Sequence, residues 1–226
     1  MTRKPSLDLS EQRLDLTEIA EGLVGELATA LEATAIREPG ARAFAAKLVG
    51  ELRAAGPRRN PSCPEGVAPT EAVRRIVEGF GRGTGNPIAE AICRLMPTFA
   101  WLQSVEFYPE PEHRHFAERL WGAIIVGQED ALFIAEERYI ALLMVMEPNT
   151  TYPLHAHRIE ELYYVLSGAA DWSHDGETWT TLPPGSVFHN HSYQAHSMRM
   201  RSEPLIAMGF YLPPFGWEGG LLPLQP

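Results

Sequence analysis

Six of the eight histidines lie between positions 155 and 196. The densest group is Tyr152-Pro-Leu-His155-Ala-His157-Arg-Ile-Glu-Glu161-Leu-Tyr163. Residues two apart on an extended strand share a face. His155, His157, Glu161 and Tyr163 are therefore expected to point one way, and Glu160 and Tyr164 the other. The parity holds if no bulge intervenes between His157 and Glu161. Two imidazoles and a carboxylate on one face suit a divalent transition metal, and a third imidazole from a neighbouring strand would complete the set. Three histidines follow in range. His189 and His191 share one parity and His196 has the other, but a turn at Asn190–Ser192 interrupts any single strand, so parity does not choose among them. A second His-x-His, His113 and His115, follows Tyr-Pro-Glu-Pro and has no carboxylate four residues on. It reads as a pair of solvated histidines.

The elements that must position these residues change character near the middle of the chain. From about Ser10 to Leu95 the pattern is helical, with Leu14, Ile19, Leu23, Leu27 and Leu31 recurring at spacings of four or five. Asp8 or Ser10 is the expected cap of the first helix, and Glu38-Pro39-Gly40 is expected to end the run. A second helix is predicted over Ala41–Ala55, and shorter ones over Thr70–Gly79 and Pro87–Leu95. The glycine-rich turn between the last two has no lysine and follows no strand, so it is not a phosphate loop. After about Trp121 short apolar and β-branched runs take over. Eight are predicted: Gly122–Val126, Tyr139–Met146, Leu162–Leu166, Ala169–Trp172, Thr178–Leu182, Ser186–His189, His196–Met200 and Leu205–Tyr211. Gly, Pro, Asn and Asp punctuate them, with a hairpin turn at Asp175-Gly176 and His174 exposed beside it. Strands at this spacing point to a double-sheet jelly roll or small barrel, not a parallel α/β sheet.

Composition narrows the function classes. The 226 residues are 45% hydrophobic and 21% charged, which is ordinary for a globular protein. The net charge of −10 argues against nucleic acid or anionic lipid as a partner. Cys63 and Cys93 cannot form a disulfide framework and suit a reducing compartment. No apolar run reaches the ~20 residues needed to span a bilayer. The opening MTRKPSLDLSEQ has no apolar stretch behind its basic residues, so a cytoplasmic location is expected.

The His-x-His-x3-Glu-x6-Gly run from His155 to Gly168 resembles the first motif of the cupin superfamily. Asn149 stands where that motif has a glycine, and asparagine tolerates a left-handed turn. Pro183-Pro184-Gly185 and Ala195-His196-Ser197-Met198-Arg199 resemble the second motif, which favours His196 over His191. With Tyr152 and Tyr163 added, the set resembles the cupin-type dimethylsulfoniopropionate lyases, most of all the DddL type. The resemblance implies an α+β chain: a helical region over residues 1–98 packing on a cupin β-barrel over 99–226. It implies one divalent metal (Fe, Mn, Zn, Ni or Co) held by His155, His157, Glu161 and His196. It further implies Tyr163 as general base, Tyr152 as an aid to substrate binding, a small sulfonium carboxylate as substrate and a homodimer as assembly. Tyr108, Trp121, Trp172, Phe188, Tyr193, Tyr211 and Trp217 are the aromatic residues available to face a sulfonium. Because cupin folds host many functions, an Fe(II) dioxygenase with the same ligands and a non-catalytic ligand-binding cupin are the rival readings, with an isomerase as a weaker third.

Overall fold

The computed structural model describes residues 16–54, 56–216 and 218–222. The expected caps Asp8 and Ser10, together with Leu14, Ala55 and Trp217, lie outside the described residues. Helices α1 (Leu16–Ala33) and α2 (Pro39–Ala54) come first, then strand β1 (Arg58–Arg59) and helices α3 (Glu71–Gly81) and α4 (Pro87–Leu95). Strand β2 (Trp101–Gln103) and the short helix α5 (Arg114–Ala117) lead into the β region. There follow β3 (Leu120–Gly127), β4 (Phe133–Ile134), β5 (Ile140–Met146), β6 (Thr151–His157), β7 (Glu161–Ser167) and β8 (Ala170–Ser173). The chain continues through β9 (Thr180–Leu182), β10 (Val187–Asn190), β11 (His196–Met200), β12 (Leu205–Tyr211) and β13 (Gly219–Leu221).

Two sheets result. One runs β1-β4-β3-β5-β12-β7-β10, with β2 added beside β3, and the other runs β13-β6-β11-β8-β9. The chain leaves one sheet and enters the other between β6 and β7, and again between β10 and β11, which places the histidine-bearing segments on strands of both sheets facing each other. The helices cover the outer face of the larger sheet. Ile19, Leu23, Leu27 and Leu31 of α1 join Leu48 of α2, Val77 of α3 and Ile92 of α4 in one apolar cluster. That cluster continues into Leu143, Val145, Tyr164 and Phe210 of the sheet. A second cluster, rich in methionine, fills the space between the sheets and holds Met144, Tyr163, Trp172, Met198 and Ala207, with Tyr152 and Phe188 packed against it.

The α1–α2 junction differs from expectation. Pro39 opens α2 at its first position instead of only ending α1, because a missing N–H costs nothing there. The Glu38 carboxylate caps the new helix, accepting from Gly40 N at 2.7 Å and from Ala41 N. The capping of α3 by Thr70 and of α4 by Asn86 follows the usual pattern of a polar side chain accepting from exposed first-turn amides. Left-handed conformations occur at Asn149 (φ 55) and Gly168 (φ 76), the two ends of the predicted first motif. Among the described residues no helix is long and apolar enough to cross a membrane.

Candidate metal centre

The structure brings His155, His157, Glu161 and Tyr163 together, but not along one strand. His157 and Glu161 do not share a strand: Arg158–Glu160 form a turn, and β6 and β7 belong to different sheets. His155 and His157 alternate on β6, Glu161 and Tyr163 alternate on β7, and the two inner faces meet across the interior. A bulge does occur, but elsewhere. On β11 His196 and Met198 are two positions apart, while their partners on β6, His155 and Tyr152, are three apart. The extra residue falls at Pro153–Leu154, where proline removes a ladder donor. It turns Tyr152, which strict alternation would send outward, onto the face of His155. The two rings stack with centroids 4.0 Å apart.

The three imidazoles are oriented alike. His155 Nδ1–H donates to Pro153 O at 2.9 Å, His157 Nδ1–H to Ile159 O at 2.8 Å, and His196 Nδ1–H to Gln194 O at 2.9 Å. A carbonyl oxygen only accepts, so each bond fixes the proton on Nδ1 and leaves the Nε2 lone pair facing inward. One ligand nitrogen from each of the three rings lies within 4.8 Å of the others. Glu161 Oε2 sits 3.3 Å from His196 Nε2 and 3.5 Å from His157 Nε2. His196 Nε2 is buried and has no hydrogen-bond partner. Lone pairs facing a carboxylate at these distances repel unless a positive charge lies between them. Ligands about 2.0–2.2 Å from one ion would stand about 3 to 3.5 Å from one another, so the donor set fits a divalent transition metal.

Glu161 is the anchor. It has no exposure to solvent and occupies β7, flanked by β12 and the edge strand β10, directly opposite Tyr211 of β12 and Asn190 of β10. Tyr211 Oη donates to Glu161 Oε1 at 2.5 Å, and Asn190 Nδ2 donates to Oε2 at 3.0 Å. Burial alone would raise the carboxyl's pKa. The His157 and His196 imidazoles beside it outweigh that and hold it well below the usual carboxylate range. Burial pushes His155 down to about 3, which keeps its imidazole neutral. For His157, burial opposes the charged form but Glu161 prevails and raises the pKa. A proton on His157 can thus supply the positive charge beside Glu161, and a metal must displace it. Metal affinity should accordingly rise with pH and level off above His157's raised pKa. Calorimetric titrations at several pH values would show this, and a pH-independent affinity would contradict it.

Tyr163 is buried near Glu161, with Trp172 at a ring distance of 5.0 Å. Burial first, and then Glu161 and Tyr211, push its hydroxyl well above its ordinary value. The same holds for Tyr152 and Tyr211, with burial again the leading cause. Gly209, opposite Tyr163 on β12, leaves the room these groups occupy. A Cβ there would come within 3.3 Å of Tyr211 Oη and 3.5 Å of the Tyr163 ring. Tyr152 Oη pairs with Tyr108 Oη at 3.1 Å.

The remaining sequence candidates separate cleanly. His196 stands with His155 and His157, whereas His189 and His191 sit with Glu38 and Glu160 in a different cluster. Trp121 is buried in the cluster under the helices, and Tyr193 is 60% exposed on a turn. Trp172 and Phe188 pack against one another at 4.9 Å beside Tyr163. His113 and His115 lie at and beside α5, near Phe116 and Tyr108. Asn190 and Tyr211 as supports of Glu161 were not identified from the sequence; Tyr211 appeared there only as an available aromatic. A support of this kind is usually worth about 10–100-fold in metal affinity. Tyr211→Phe should therefore weaken metal binding by roughly that factor without unfolding the protein, as competition with a chromogenic chelator would report. An unchanged affinity would remove Tyr211 from the site.

The two facing sheets form a cupin fold, with three imidazoles and the Glu161 carboxylate converging between them. Residues 71–207 match the dimethylsulfoniopropionate lyase family, and the chain belongs to that family. It is 30% identical over 106 residues to dimethylsulfoniopropionate lyase DddQ of Ruegeria pomeroyi, covering 47% of this chain and 49% of that one. It is also 30% identical over 137 residues to a DddL protein of Cereibacter sphaeroides, covering 60% of this chain and 55% of that one. The chain thus spans about half the length of the curated relatives it matches. The crystal structure of DMSP lyase DddQ from Ruegeria pomeroyi has the same fold, with a TM-score of 0.64 at 19% identity over 90% of this chain and 96% of that one.

Proposed function

We propose that this protein is a metal-dependent carbon–sulfur lyase that cleaves dimethylsulfoniopropionate by β-elimination to dimethyl sulfide and acrylate. His155, His157, Glu161 and His196 hold one divalent metal, and Tyr163 is the general base. The observation that carries the reading is the convergence of three Nε2 lone pairs and the Glu161 carboxylate beside a buried tyrosine, in a chain of this family.

The chemistry sets what each group must do. Removing a proton from the carbon next to a carboxylate builds negative charge on a group already anionic. These four residues would hold a divalent cation, which would supply Lewis acidity toward that carboxylate. Tyr163 takes the proton on its phenolate oxygen, the C–H electron pair becomes the new C=C bond, and the C–S pair leaves with sulfur. The sulfonium departs as a neutral thioether, so no general acid is required. Burial and Glu161 both oppose ionisation of Tyr163, so its phenolate would need the positive charge of a cation at the imidazole cluster to be accessible near neutral pH. Trp172 and Phe188 offer aromatic faces beside Tyr163 for the sulfonium. Tyr152, turned inward by the bulge and held by Tyr108, orients the substrate from the opposite sheet.

The test is product analysis by NMR in air and under argon. Equal amounts of dimethyl sulfide and acrylate, formed at the same rate in both, are expected. Turnover that requires oxygen would replace this reading with an oxygenase.

A further inference from the structure

The histidines left out of the metal centre form a second cluster of their own. His189, next to the last residue of β10, is only 7% exposed, and its Nδ1 is buried without a hydrogen-bond partner. Its other nitrogen, Nε2, lies 2.9 Å from Glu160 Oε1. The carboxylate accepts, so Nε2 carries the proton and Nδ1 presents a lone pair. That lone pair points to Glu38, whose Oε2 is 3.6 Å away. His191 completes the group: its ring lies 4.5 Å from that of His189 and its Nδ1 is 3.5 Å from Glu160 Oε1. Ligand atoms of Glu38, His189 and His191 all lie within 4.8 Å of one another.

We propose that Glu38, His189 and His191 form a second divalent-metal site, suited to Zn(II), with Glu160 orienting His189. A histidine ligand commonly gives its second ring N–H to a carboxylate, which fixes the tautomer and raises its basicity, and the Glu160–His189 pair has that geometry. Two imidazoles and a carboxylate with one open position are an ordinary zinc donor set. Part of the site is already held in place. His189 is locked by burial and by the Phe44 ring 5.4 Å away, and the Glu38 carboxylate is fixed by the Gly40 and Ala41 amides it caps. Gly40 also makes room for the partner ring, since a Cβ there would come within 2.8 Å of His191 Cε1. His191 is half exposed, and its ring can close the remaining distance.

The ligands come from two separate parts of the chain, Glu38 just before α2 and His189 and His191 at the end of β10 and just past it. A metal here would pin the start of α2 to the end of β10, the strand whose Asn190 donates to Glu161. The site would therefore act as a clip between the helical layer and the strand that supports the metal centre, with no part in the chemistry.

The experiment is metal counting on chelator-stripped full-length protein dialysed against zinc chloride. His191→Ala is expected to hold one zinc per chain fewer than wild type, and Glu38→Gln to reproduce that loss. Glu160→Gln should weaken the same zinc by about 10–100-fold. His157→Ala should keep it while losing the other ion. Equal zinc content in wild type and His191→Ala would overturn the proposal, as would a second ion indifferent to both Glu38→Gln and Glu160→Gln. A failure confined to His157→Ala would count against the lyase centre and not against this site.

Discussion

Tyr163→Phe is expected to lower turnover by roughly 10²–10⁴-fold, the usual contribution of a positioned general base. The substitution removes one oxygen and keeps the ring that packs on Trp172, so the interior stays filled. Metal content and substrate binding should remain near wild type. The alternative role for this hydroxyl is as a hydrogen-bonding support within the Tyr211–Glu161 network. In that case the variant would lose metal affinity, and added metal would restore much of the rate. Near-normal turnover at saturating metal and substrate would instead exclude Tyr163 as the base, and Tyr152, on the facing sheet, would be the next group to replace.

His157→Ala should have an effect of similar size by a different route. The change removes one of three inward lone pairs and leaves Glu161, wholly buried, without one of the imidazoles that hold it ionised. Loss of a direct ligand should cost more than the ~10–100-fold typical of a supporting partner. Activity and metal content should fall together, and the ordering of variants should be His157→Ala below Tyr211→Phe in both. Elemental analysis showing full occupancy of the centre in His157→Ala would remove that residue from the ligand set.

The parts of this account that were legible in the sequence are those carried by local spacing. The alternation of His155 with His157 and of Glu161 with Tyr163 needs only strand geometry, and the helix periodicity of Ile19 to Leu31 needs only the 3.6-residue turn. Cross-strand register is different, because it is set by residues far apart in the chain. Nothing near Asn190 or Tyr211 signals that both face Glu161; that follows from β7 lying between β10 and β12. The bulge at Pro153–Leu154 is partly visible, since proline marks a ladder break, but its consequence for Tyr152 depends on pairing with β11. The turn at Arg158–Glu160 breaks the single strand on which the parity sorting relies. Two facing strands of different sheets preserve the odd–even grouping that one long strand would have produced. In the sequence Glu38 belongs to a helix stop, and its approach to His189 arises only when α2 packs against the sheet.

The central claim joins a metal to a specific elimination, and headspace detection of dimethyl sulfide tests both at once. Purified protein given dimethylsulfoniopropionate should release dimethyl sulfide, should stop after chelator treatment, and should resume when a divalent transition metal is restored. Undiminished release from fully stripped protein would contradict the metal's role. No release from the metal-loaded protein, with any of Fe(II), Mn(II), Zn(II), Ni(II) or Co(II), would contradict the lyase assignment itself.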